Sequence, residues 1–146
     1  INHEYAYCAK EYYYDSQKSN RQKTDSEYAN DMEEFLKGTN YKYVILDPSA
    51  ASFKVELRKR GIRVMDAKND VLDGIRTVAR MLSNRKYFVH KSCINYIKEF
   101  SGYVWDEKSQ NSGIDKPMKQ NDHAQDAGRY VIFTVMGKGE MRAVRI

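Results

Sequence analysis

The run Tyr43-Val44-Ile45-Leu46-Asp47-Pro48 constrains this chain more than any other stretch. Nearly continuous apolar character is the mark of a strand buried on both faces of a parallel sheet, and Pro48 cannot donate to a ladder, so the strand must end there. It ends on a carboxylate. Further strands are expected at 62–65 and 86–90, interleaved with helical patterns, and such alternation implies parallel crossovers. The fold class is therefore α/β.

At 146 residues the chain fits one domain, large enough to bury about 70% of the surface its unfolded form exposes. Residues 3–14 are rich in Tyr and suit one strand or a tight strand pair, which makes a mixed sheet the expectation. Residues 16–23 are polar, carry Lys18, Arg21 and Lys23, and read as a mobile loop. Thr24 or Asp25 caps a helix that Gly38 stops, and Ser49 caps a helix to Arg60, closed by Gly61. Asn69 or Asp70 caps a helix whose apolar face is Val71, Leu72, Ile75, Val78, Ala79 and Leu82. Ser92 caps a helix to about Phe100, and Tyr103 to Trp105 extends the sheet. Residues 106–119 read as a hairpin or flap, and 137–146 as a basic tail. Ile1 stands where an initiator Met would, so the chain reads as a piece of a longer polypeptide.

The last strong pattern is Asn121-Asp122-His123-Ala124-Gln125-Asp126-Ala127-Gly128-Arg129-Tyr130. Residues three and four apart share a helical face, so His123, Asp126 and Tyr130 project together. A helix-borne Asp and a strand-end Asp are the carboxylates a divalent metal site needs. Magnesium takes one or two protein carboxylates and completes its octahedron with water and phosphate, and two ions about 4 Å apart can activate water and stabilise a leaving oxygen. Asp47 and Asp126 are thus candidate ligands for Mg2+ or Mn2+, with His123 able to orient water or move a proton near neutral pH. The plainer readings stay open: Asp47 initiates an Asp-Pro-Ser turn, Asp126 pairs with Arg129, and His123 is a surface residue. Asn69, Asp70 and Asp73 are explained by capping.

Net charge is +5 and the isoelectric point about 9.1, compatible with a phosphate-rich partner. Lys54, Arg58, Lys59, Arg60 and Arg63, with Lys18, Arg21 and Lys23 in the loop, form the suggestive basic groups, although each alone fits a solvated face. Cys8 and Cys93 are too few and too far apart for a disulfide framework or a thiolate zinc site, so a reducing interior is expected. No apolar run approaches a membrane span. Phosphate-binding loops, dinucleotide fingerprints, His-Glu-x-x-His and serine elbows are all absent from the sequence.

Four ordered blocks carry a family likeness: Leu46-Asp47-Pro48-Ser49-Ala50-Ala51-Ser52-Phe53, Asn69-Asp70-Val71-Leu72-Asp73-Gly74-Ile75, Tyr103-Val104-Trp105-Asp106, and the 121–130 block. Over roughly residues 5–135 the chain closely resembles the C-terminal nuclease domain of the large terminase subunit of tailed bacteriophages. The resemblance implies an RNase H-like mixed sheet flanked by helices and a metal-dependent endonuclease that cuts concatemeric viral DNA during packaging. It implies Asp47 and Asp126 as metal ligands, His123 one turn before the second, and 106–119 as a hairpin beside the site. Double-stranded DNA, an ATPase domain in the full-length chain, a portal protein and a small terminase subunit are the implied partners, at the procapsid in host cytoplasm. The family's first strand, with a further catalytic Asp, is expected to lie before Ile1. Another RNase H-like nuclease, such as a resolvase or exonuclease, and a noncatalytic DNA-binding or motor-docking module are the alternatives.

Overall fold

The computed structural model describes residues 4–102 and 123–137. Among them the chain alternates short strands and helices: β1 (Ala6–Cys8), α1 (Asp25–Leu36), β2 (Val44–Leu46), α2 (Ala51–Lys59), β3 (Val64–Asp66), α3 (Val71–Ser83), β4 (Tyr87–Val89), α4 (Ile94–Gly102) and α5 (His123–Met136). These elements pack as two units, one of Glu11–Ala67 and one of Ile1–Lys10 with Lys68–Ile146. The expected strand at 103–105, the flap at 106–119 and all of the basic tail except Gly137 lie outside the described residues.

In the Glu11–Ala67 unit, α1 opens with a reciprocal cap. Thr24 Oγ1 accepts from Glu27 N while Glu27 Oε2 accepts from Thr24 N, satisfying two amides that the helix leaves over. The β2 and β3 strands pair in parallel with Val44 opposite Val64 and Leu46 opposite Asp66. Crossover helix α2 returns the chain between them, ending at Gly61, whose φ of +75° favours a residue without a Cβ. The core joins Ala29, Leu57 and Ile62 to half-buried Met32, Leu36, Val44, Leu46, Phe53 and Val64. Arg60 turns back from the end of α2 to Glu33 and the Ser26 carbonyl on α1, so its charge is spent inside the unit.

In the other unit β1 and β4 pair in parallel, Ala6 opposite Tyr87 and Cys8 opposite Val89. Asp70 caps α3 by accepting from Asp73 N, as the acidic cluster suggested. Ala6, Val78, Met81, Tyr87, Cys93, Tyr96 and Ile132 make the core.

Four expectations change. The mixed sheet does not form among the described residues: both ladders are parallel pairs. The opening tyrosines do not extend β1, because Tyr12 and Tyr14 turn their rings edge-on to Phe35 and Tyr28 of α1 instead. Neither serine cap forms as expected. Ala50 precedes α2 without a side-chain cap, while the Ser49 and Ser92 hydroxyls bond Asp47 and the His90 ring. The face of α3 is also rotated, burying Gly74, Thr77, Val78 and Met81 and leaving Ala79 exposed. Close approach of α5 causes this, since a Cβ on Gly74 would lie 2.8 Å from Arg129 Cγ.

Candidate active site

Asp47 follows the last residue of β2, at the carboxyl end of a parallel ladder, where α/β sheets open toward ligands. Its Oδ1 accepts from Ser49 N at 2.8 Å and Ser49 Oγ at 2.6 Å. The turn composition of Asp-Pro-Ser is therefore realised, and it fixes the rotamer of a half-buried carboxylate. A second acid, Asp66, ends β3 opposite Leu46, and its Oδ1 accepts from Lys54 Nζ at 2.6 Å. Asp66 was legible by the rule that singled out Asp47, an apolar run closed by a carboxylate.

Asp126 and His123 belong to the other unit, on the first turns of α5. His123 is its exposed first residue. Asp126 Oδ1 accepts from Arg129 Nη2 at 2.8 Å and Nε at 3.3 Å. The Arg129 side chain is only 5% exposed against 27% for Asp126. Its Nη1 donates to the carbonyls of Asn69 and Asp70, at 3.1 Å each, tying α5 to the start of α3. Asp126 Oδ2 has no hydrogen-bond partner among the described residues.

Glu99 on α4 holds the start of α5. Its Oε2 accepts from Ala124 N at 2.8 Å and Gln125 N at 2.9 Å, a carboxylate placed where the helix dipole is positive. Gly128 lets α4 come close, since a Cβ there would lie 2.0 Å from Tyr96 Oη. Neither Glu99 nor the clamp made by Arg129 follows from local sequence, because both join elements far apart in the chain.

The candidate basic residues divide. Lys54 is committed to Asp66 and is 13% exposed. Lys23 meets Asp31 and the Tyr14 ring, 4.4 Å from its centroid, and the Asp31 bond holds the ammonium above its ordinary range. Arg21 pairs with Glu27, and Lys18, 87% exposed, lies 3.4 Å from Asp15. Arg58 and Lys59 are exposed, with no side-chain partner among the described residues. Segment 16–23 is a hydrogen-bonded turn in which Ser19 N and Arg21 N donate to the carbonyls of Asp15 and Ser16.

Hard carboxylate oxygens suit magnesium or manganese. Asp47 Oδ1 is held by Ser49 and Asp126 Oδ1 by Arg129, bonds that orient each carboxylate. Among the described residues no group of three or more His, Cys, Asp or Glu forms a ready cage, and no helix is long and apolar enough to cross a membrane.

No family model matches the chain. The large terminase subunit of Escherichia phage T5 is 27% identical over 135 residues, covering 90% of this chain and 31% of that protein. Solved structures of the large terminase from a thermophilic bacteriophage are more similar. One in complex with ATP-gamma-S is 50% identical with a TM-score of 0.86, over 88% of this chain and 33% of that one. Another crystal form is 48% identical with a TM-score of 0.90, over 94% and 35%. The chain thus spans about a third of the length of the relatives it matches. With a similar fold and nearly half its residues shared over most of its length, it is a homologue of one part of the phage large terminase subunit.

Proposed function

We infer that this part of the subunit is a divalent-metal-dependent DNA endonuclease with an RNase H-like fold, cutting concatemeric viral DNA during packaging. The observation that carries the reading is the likeness to a phage large terminase over 94% of the chain. Asp47 and Asp126 are the proposed ligands for Mg2+ or Mn2+, expected as two ions. Ser49 orients the first carboxylate and Arg129 the second. When bound, the ions would supply water activation and charge stabilisation at the scissile phosphate. His123, exposed at the start of α5, orients water or moves a proton. Arg58, Lys59 and Lys18 are exposed members of the candidate basic groups proposed for phosphate contacts, which carry no base information, so cutting without sequence preference is expected. By the same likeness, an ATPase domain in the full-length chain, a portal protein, a small terminase subunit and the procapsid in host cytoplasm are proposed as its setting.

The test is plasmid nicking with Mg2+ or Mn2+, alongside Mn2+ binding followed by electron paramagnetic resonance. Asp47→Asn and Asp126→Asn should each abolish nicking and weaken Mn2+ binding while the circular dichroism spectrum is kept. Full metal-dependent activity in both variants would reject the assignment. A noncatalytic DNA-binding or motor-docking module is the second reading, favoured by the Asp126–Arg129 pair because it gives that acid a structural use. DNA binding that persists in EDTA with no cleavage at any Mn2+ concentration would support it. Comparing linear, branched and hybrid substrates separates a packaging nuclease from a resolvase or exonuclease.

A further inference from the structure

Cys8 ends β1 and Cys93 immediately precedes α4, 85 positions apart in sequence, yet their sulfurs stand 3.6 Å from each other. The two are not joined by a disulfide. Cys93 is fully buried in the core and its thiol donates to the Cys8 carbonyl at 3.7 Å, while Cys8 is only half-buried and can be reached from solvent. Their backbones are held together through one residue. His90 N donates to Cys8 O at 2.9 Å, and Cys93 N donates to His90 O at 2.9 Å. With the two backbones tied through His90, the sulfurs already touch and need to close only from 3.6 Å to the ~2.05 Å of a disulfide.

We propose that Cys8 and Cys93 form an oxidisable dithiol that a peroxide converts into an intrachain disulfide. The Cys8 thiol gives up its proton, its thiolate attacks one peroxide oxygen, the O–O bond breaks, and the leaving hydroxide takes up that proton as water while Cys8 becomes a sulfenic acid. Cys93 then attacks the Cys8 sulfur, the S–S bond forms, and the S–O bond breaks with release of a second water. The two thiols lose two electrons and two protons between them, and hydrogen peroxide is reduced to two waters. The resulting staple joins β1 to the head of α4, the helix whose Tyr96 and Glu99 seat α5. Since a disulfide removes entropy from the unfolded chain, oxidation raises the thermal midpoint of unfolding.

Hydrogen peroxide added to the folded chain should lower its intact mass by two hydrogens, remove both thiols from maleimide labelling, and give a peptide joining Cys8 to Cys93. Dithiothreitol should reverse all three changes and lower the midpoint again. In Cys93→Ser, Cys8 should stop at a sulfenic acid trapped by dimedone. In Cys8→Ser, buried Cys93 should resist both peroxide and maleimide. Cys8 oxidising alone in the native chain, a disulfide between two chains, or bridging no faster in the folded protein than in urea would each overturn the proposal.

Discussion

Arg129 grips Asp126 from one turn further along α5, with Nη2 2.8 Å from Oδ1, while Nη1 closes on two carbonyls at the head of α3. One planar fork thus orients a candidate ligand and fastens two helices. Its position is exact because Gly74 leaves no Cβ in its path.

Arg129→Lys should fail to restore what Arg129→Ala loses, because a point ammonium cannot serve the carboxylate and both carbonyls together. Each variant should destabilise the fold by about 3–5 kcal/mol, the range for breaking a buried pair. Urea denaturation measures this. Asp126→Asn should cost less than either, since Asn keeps an acceptor for Arg129 and Asp126 is partly exposed. A large activity loss at that smaller stability cost would mark Asp126 as functional rather than structural.

Gly128→Ala should destabilise by about 1–3 kcal/mol, as overpacked cores do. The added methyl meets Tyr96 Oη at 2.0 Å and Cζ at 2.5 Å. Tyr96→Phe removes only the first clash, whereas Tyr96→Ala removes both. The double variant Gly128→Ala with Tyr96→Ala should therefore lose less than the sum of its single changes, checked by a double-mutant cycle.

Tyr87 donates to Tyr96 at 3.0 Å within the core. Burial pushes Tyr96 from 10.0 up to about 12 and moves Tyr87 in the same direction. Raised phenol values favour the neutral form in the folded state, so this stability is complete below pH 10 and is lost as pH climbs through the folded values. Tyrosinate absorbance should show a late-titrating group of tyrosines that ionise together with loss of helical circular dichroism. Early, independent ionisation of every tyrosine would contradict it.

Glu99→Ala should cost about 1–2 kcal/mol by stranding the Ala124 and Gln125 amides. Glu99→Gln keeps an acceptor for both and should recover most of the loss. Denaturation midpoints of the two variants compare them directly.

Helices were legible because their signals are local. Thr24 and Asp70 cap where capping chemistry predicts, and apolar spacing located α3 to within a residue of its observed end. Ser49 and Ser92 misled for an equally local reason: each found a nearer side chain to bond than the amides of the following helix. Strand positions at 44–46, 64–66 and 87–89 also followed from apolar runs. Strand partners did not. A run such as Ala6–Cys8 is compatible with either direction of pairing, and its alignment with Tyr87–Val89 depends on the helices that cover it.

The sequence by itself determined the alternation of elements, the strand-end acid at Asp47 and the helical face shared by His123 and Asp126, since backbone sterics and 3.6-residue periodicity act within a few positions. Tertiary structure alone decided that Arg129 would also reach the head of α3, that Glu99 would cap α5, that Lys54 would serve Asp66, and that Cys8 would touch Cys93. These pairings join residues from separate elements, whereas the Asp126–Arg129 pair, three positions apart on one helix, was already open to a sequence reading. Which neighbour a side chain meets is set by close packing of surfaces distant in the chain, and no local pattern encodes that.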